Sequence, residues 1–205
     1  IINFANKIKI KNKIELRNKN IIDLKNSGFY ILQNTNVKII FNAANINSPY
    51  QPGHSHANAL SFEMSIHNHR FIVNSGISTY NNCNLREFQR STKAHSCITL
   101  DEQNSSEVWS SFRVGRIANI TNRNTKFTDD YSFATATHDG YMHLKGNPFV
   151  TRKLKLFNRK LIIFDQISGK ERKKFDFFLP LHPKTKFVQR KENEIVFELM
   201  GKKII

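Results

Sequence analysis

Between Ala59 and His67 the chain reads ALSFEMSIH, with Leu60, Phe62, Met64 and Ile66 on one parity and Ser61, Glu63, Ser65 and His67 on the other. An extended strand with one face on a core and the other toward solvent brings four large apolar side chains together at that spacing. Asn68 and His69 supply turn chemistry, and RFIVN (70–74) runs back, so residues 59–74 are predicted to form a β-hairpin. The same signal recurs along the chain. GFYILQ (28–33) and VKIIFNA (37–43) flank the turn triplet Asn34-Thr35-Asn36. Further strands are predicted at SCITLD (96–101), EVWSSFRVG (107–115), RIANIT (116–121), FVTRKLKLF (149–157), KLIIFDQI (160–167), KKFDFFLPL (173–181), KFVQ (186–189) and EIVFELM (194–200). Only LREFQRST (85–92) reads as a short helical turn. About a dozen strands with very little helix predict an all-β fold, an antiparallel β-sandwich.

Seventeen Phe among the 205 residues supply the core such a sandwich needs. No run of about 18 apolar residues occurs, so no helical membrane span is expected. Residues 1–26 mix Ile with Lys and Asn, as in IKIKNKIEL, and predict a lead-in strand or linker. Ile1 in place of Met, and an end at Ile205 directly after a Lys-Lys pair, predict a segment cut from a longer polypeptide. Cys83 and Cys97 form no CxxC pair, which excludes a zinc ribbon and leaves one bridge or two free thiols open.

The 32 basic residues outnumber the 16 acidic ones, for a net charge of +16. A polyanion partner accounts for that excess, and so does lysine accumulated on solvated faces of an Asn/Ile/Lys-rich chain. Nucleic acid is disfavoured: there is no interleaved basic-aromatic motif, no recognition helix and no zinc-finger spacing.

The segment Gly53-His54-Ser55-His56-Ala57 carries the chemistry. Two histidines two apart before a strand point the same way if extended geometry holds, the hairpin returns Asn74 beside its start, and His95 precedes the next strand. Two imidazoles and a carboxamide from neighbouring strand ends make a three-ligand metal shell suited to zinc. Read from spacing alone, an HxH pair fits a surface or a hydrogen-bonded core position as well.

The blocks PGHSHANALSFEMSI, FIVNSGISTY, REFQRSTKAHSCITLD, NSSEVWSSFRVGRIA, ATHDGY, FDQISG and LPLHP stand in the order found in the heparinase II/III family, which this chain resembles over roughly residues 28–183. The resemblance implies the C-terminal, supersandwich-like β-domain of a polysaccharide lyase that cleaves uronic-acid polymers by β-elimination. Residues 1–27 would lead in from an N-terminal helical toroid acting in cis, and residues 28–205 would form the β-domain, truncated at its C-terminal end. The ligand would be an acidic polysaccharide, and the setting periplasmic or secreted. Residue by residue, His54 matches a substrate-facing histidine, while His56, Asn74 and His95 match the zinc ligands, with zinc in a structural role. The family's Asp after His-Ala is Asn58 here, the residue before Ser-Gly, commonly Asp, is Asn74, and its Asn after Ala-His is Ser96. An amide brings no negative charge, so zinc would be held less tightly than by two His and one Asp.

The reaction needs a neutralised carboxylate, a base and an acid. His54 is the candidate base or neutraliser, Tyr80 the candidate acid/base, and Arg86 and Arg90 candidate carboxylate clamps. For Tyr80 the competing reading is a packed strand-end aromatic; for the two arginines it is solvated surface charge. Trp109 and Phe112 are expected in the core, His138, His143 and His182 as structural or exposed residues, and Asp165 as a structural polar residue. The alternative function is a non-catalytic module that grips an acidic glycan without cutting it.

Overall fold

The computed structural model describes residues 20–45 and 50–205. Its first sheet is antiparallel and five-stranded, with neighbours in chain order: β1 (Ile21–Leu24), β2 (Phe29–Gln33), β3 (Val37–Asn42), β4 (Phe62–Ile66) and β5 (His69–Ile72). A short helix, α1 (Asn84–Arg90), leads to β6 (Ile98–Leu100) and a small hairpin of β7 (Val108–Trp109) and β8 (Arg113–Val114). The second large sheet contains β9 (Ile120–Phe127), β10 (Tyr131–His138), β11 (Phe149–Phe157) and β12 (Leu161–Ser168), again antiparallel neighbours. β13 (Phe175–Phe177) pairs with β6, and β14 (Thr185–Arg190), β15 (Ile195–Leu199) and β16 (Lys202–Ile204) close the chain as a third sheet.

One continuous core joins the two large sheets. Tyr30, Leu32, Ile39, Phe41, Phe62 and Met64 come from the first, and Ala134, Ala136, Val150, Leu154 and Leu156 from the second. These residues alternate along their strands with less buried neighbours, as a period-2 pattern requires. Burying one such Leu or Ile contributes roughly 1.5–3 kcal/mol, so the sandwich rests on this shared layer.

The expected all-β sandwich is thus the observed one, with differences in detail. The hairpin turn falls at His67-Asn68, one residue earlier than expected, and both residues take positive φ (48° and 65°), the geometry a two-residue type I′ turn demands. The pair β9–β10 extends through residues 122–127 and 131–138, where few strands were expected, because its inner face is built from Ser132, Ala134 and Ala136. Of the expected lead-in, residues 1–19 lie outside the described residues, whereas Ile21–Leu24 form β1, paired with β2. Both cysteines are free thiols, Cys83 exposed and Cys97 buried. Among the described residues no helix is long and apolar enough to cross a membrane.

Candidate functional site

The segment carrying His54 and His56 begins as a short 3-10 turn (Pro52–His54) and then runs extended beneath α1. Backbone bonds fix it there: Ala57 N–H donates to Arg90 O (2.9 Å), and the Thr92 hydroxyl donates to Ala57 O (2.8 Å). Arg90 supplies the rest. Its Nε and Nη2 both donate to Ser55 O, Nη1 to Trp109 O and Ser110 O, and Nη2 also to Arg113 O. All five N–H groups of this fully buried guanidinium are therefore taken by backbone carbonyls.

Arg86, also fully buried, donates through Nε (3.1 Å) and Nη2 (2.9 Å) to Ser111 O. Its guanidinium carbon sits 5.2 Å from the Tyr80 ring centre and 5.6 Å from that of Phe112. Tyr80 and Phe112 stack at 5.7 Å and 13°, and the exposed His54 meets both edge-on at 5.8 Å. Gly53 permits this approach, since a Cβ there would lie 3.3 Å from Phe112 Cβ. The two arginines are thus neither surface charges nor free clamps. They sit behind the site, where α1 turns them into the protein toward the backbone carbonyls of Ser55, Trp109, Ser110, Ser111 and Arg113.

His56 and His95 meet directly: Nδ1 of His56 lies 3.2 Å from Nε2 of His95, and His95 Nδ1 lies 2.8 Å from Ser91 O. With Nδ1–H donated to that carbonyl, Nε2 of His95 presents its lone pair to His56. Ser96 anchors the segment, accepting from Phe62 N–H (2.7 Å) and donating to Phe62 O (2.5 Å). Burial lowers the pKa of His56 to about 4, helped by His95 next to it and then by the charges of Arg86 and Arg90. Burial likewise lowers that of His95, against the opposing pull of the Ser91 carbonyl. Both imidazoles are neutral at pH 7, the state in which they bind metal.

Asn74 joins the two faces of the site. With His54, His56, Asn42 and Asn58 it lines an open cleft of about 380 Å³. With His95, Asn58 and Glu63 it lines an adjoining hollow of about 190 Å³. Its Oδ1 accepts from Gly76 N–H at 2.8 Å. Of the three expected ligands, His56 and His95 touch, while Asn74 shares the lining of one hollow with His56 and of the other with His95. Two imidazole nitrogens on a tetrahedral zinc, each about 2.0–2.1 Å from it, stand about 3.3 Å apart, and the 3.2 Å spacing suits that as well as a direct N–H···N bond. The His95–carbonyl bond is the outer contact that metal-binding histidines make. Among the described residues no group of three or more His, Cys, Asp or Glu stands where it could hold a metal.

Asn42 and Phe112 were not singled out as site residues from sequence. Asn42 ends a strand whose apolar run masks it, and Phe112 was expected in the core, yet it and Trp109 are each 46% exposed. His138 is buried, accepting from Gly140 N–H, and Asp165 pairs with Arg152.

Fold and site together define a β-sandwich domain with a histidine-lined cleft at the ends of its strands. Residues 16–204 match the family model "Heparinase II/III-like, C-terminal", and the chain belongs to that family. The heparan sulfate lyase HepC from Pedobacter heparinus superimposes with a TM-score of 0.73 at 19% identity, over 95% of this chain and 31% of that one. A mutant of the same enzyme gives 0.71 at 20% identity, over 90% and 28%. A heparinase III structure gives 0.63 at 15%, over 85% and 27%. These likenesses show the shared fold, and the chain spans less than a third of each of those proteins. No curated protein sequence matches it.

Proposed function

We propose that this domain is the C-terminal part of a polysaccharide lyase that cleaves an acidic, uronate-containing polysaccharide by β-elimination, in concert with a helical domain upstream in the full-length protein. The observation that carries the reading is the exposed His54 ring framed by Tyr80 and Phe112, with two buried arginine charges behind it and the neutral His56–His95 pair beside it. Unneutralised, a uronate carboxylate leaves its α-proton too weakly acidic to remove, and the field of Arg86 and Arg90 offsets that charge without direct contact. His54 takes the α-proton. The electron pair left on carbon forms the new C=C bond, the bond to the leaving oxygen breaks, and the Tyr80 hydroxyl gives that oxygen a proton. No water is consumed. His56, His95 and Asn74 would hold a zinc ion, whose part is to cross-link their three segments and keep His54 in place. The protein would meet such polymers in the periplasm or after secretion.

The test is the ultraviolet absorbance of unsaturated uronate when the full-length protein is mixed with a panel of uronate polymers. His54→Ala should lower turnover by about 10²-fold or more. Silence across the whole panel from a folded, full-length protein would sink the lyase reading. It would favour a non-catalytic glycan-binding module, for which the uncharged Asn74 in the ligand shell speaks. Metal analysis should find about one zinc per chain, lost in His56→Ala and in His95→Ala.

A further inference from the structure

We infer that the far end of the sandwich carries a second binding groove for an acidic glycan, separate from the histidine cleft. The inference rests on the reading above only in taking an acidic glycan as the ligand. An open groove of about 690 Å³ is lined by Asp130, Tyr131, Lys155, Phe157, Arg159, Lys160 and Ile162, among others. Its location follows from the strands. Arg152 of β11 reaches Leu60 O and Ser96 O beside the histidine pair, and Phe157 lies five residues further along the same strand, about 16 Å away at 3.3 Å per residue. On the other sheet the Asn34 amide, in the turn between β2 and β3, donates to Phe157 O and Asn158 O. Asn42, at the opposite end of β3, lines the histidine cleft. The two sites thus occupy opposite ends of both sheets.

Three features coincide in this groove. Tyr131 and Phe157 are direct cross-strand partners with ring centres 5.6 Å apart, and with Ile162 they give an apolar wall for the C–H face of a sugar ring. Lys155 Nζ is pinned 3.7 Å above the Tyr131 ring and 5.0 Å from that of Phe157, so its ammonium is positioned before any ligand arrives. Arg159 and Lys160 stand exposed on the turn between β11 and β12. Among the described residues no carboxylate pairs with any of these three cations, and the groove wall opposes them with Asp130 alone. Unpaired cations beside an apolar wall suit a polymer that alternates carboxylate or sulfate groups with apolar ring faces. A glycan held here would raise the effective concentration of its own length at the histidine cleft.

The test is the affinity of this 205-residue chain for a fluorescent heparan sulfate decasaccharide, read by anisotropy at physiological salt. The double variant Arg159→Gln/Lys160→Gln should bind about tenfold more weakly with an unchanged melting temperature, and Lys155→Gln should weaken binding as well. The charge-matched control Lys202→Gln/Lys203→Gln, on the exposed strand β16, should change affinity less than about twofold. Equal losses in both double variants would reduce the effect to bulk charge and overturn the groove. So would wild-type affinity in Arg159→Gln/Lys160→Gln, the absence of binding by the wild type, or equally tight binding of a single-stranded oligonucleotide. Turnover is not read in this assay. Intact groove binding with no unsaturated product from the full-length protein would count against the lyase reading alone.

Discussion

A buried guanidinium without a carboxylate partner is stabilised by the acceptors its N–H groups find; all five of Arg90 are taken by four backbone carbonyls, whereas Nη1 of the neighbouring Arg86 has none. Lysine has three donors on one nitrogen and cannot reach carbonyls spread over Ser55, Trp109, Ser110 and Arg113. Arg90→Lys should therefore cost about 2–4 kcal/mol in denaturant unfolding, nearly as much as Arg90→Gln. A loss under 1 kcal/mol would mean that the loop holds its shape without this residue. His138 gives a second residue-scale prediction. Burial lowers its pKa from 6.5 to about 3, and its neutral Nδ1 accepts from Gly140 N–H. The unfolded chain takes up this proton as the pH falls below 6.5, while the folded chain does so only near pH 3. Stability from this group is thus complete above pH 6.5 and drains away on acidification, by roughly 3 kcal/mol down to pH 4. His138→Gln should flatten that part of the stability–pH curve; an unaltered slope would assign it to other groups.

Among the elements, the β4–β5 hairpin is held by a turn whose residues tolerate left-handed backbone unequally. Asn68 suits φ 65°, whereas His67 at φ 48° carries a Cβ penalty that Gly lacks and has no short amide to bond the local backbone as Asn does. Replacing the pair by Asn-Gly should stabilise the protein by about 0.5–1 kcal/mol, seen as a higher denaturant midpoint with an unchanged slope. A lower midpoint would show that the His67 side chain does more than turn the chain. The strands on either side of this turn were legible because Phe62 and Met64 mark the buried face by bulk, although Leu60, expected in the same strand, lies before it at φ 60°; β2, β3, β11 and β12 were legible for the same reason. β9 and β10 were not, since the exposed Thr121, Asn122, Arg123 and Asn124 hide one strand and the small Ser132, Ala134 and Ala136 hide the other. Those small residues let β10 approach β2, which brings Tyr30 and Leu32 to the shared core, a demand set by the opposite sheet. The closeness of His56 and His95 was readable from their places just before strands. The burial of Arg86 and Arg90 was not, because the carbonyls that hold them come from residues 19 to 35 positions away.

At the scale of the whole molecule, Arg152 joins parts that strand pairing leaves separate. From β11 it forms a two-point ion pair with Asp165 of β12 (2.7 and 2.8 Å), and its Nη1 crosses the interior to Leu60 O and Ser96 O, flanking the site. Its guanidinium carbon lies 5.6 Å from the Phe62 ring centre and 5.2 Å from that of Phe177, so three sheets meet at one cation. Removing one member of such a pair strands the other charge, whereas removing both strands neither. Asp165→Leu should therefore destabilise by about 3–5 kcal/mol, and Arg152→Met/Asp165→Leu by clearly less, although the double variant deletes more bonds. Denaturant unfolding of the two single variants and the double variant gives the coupling directly. If the double variant is as unstable as the sum of the single ones, the two carbonyl bonds outweigh the ion pair. Arg152 would then act chiefly as a tether that carries the position of Ser96, and so of His95, from one sheet to the other.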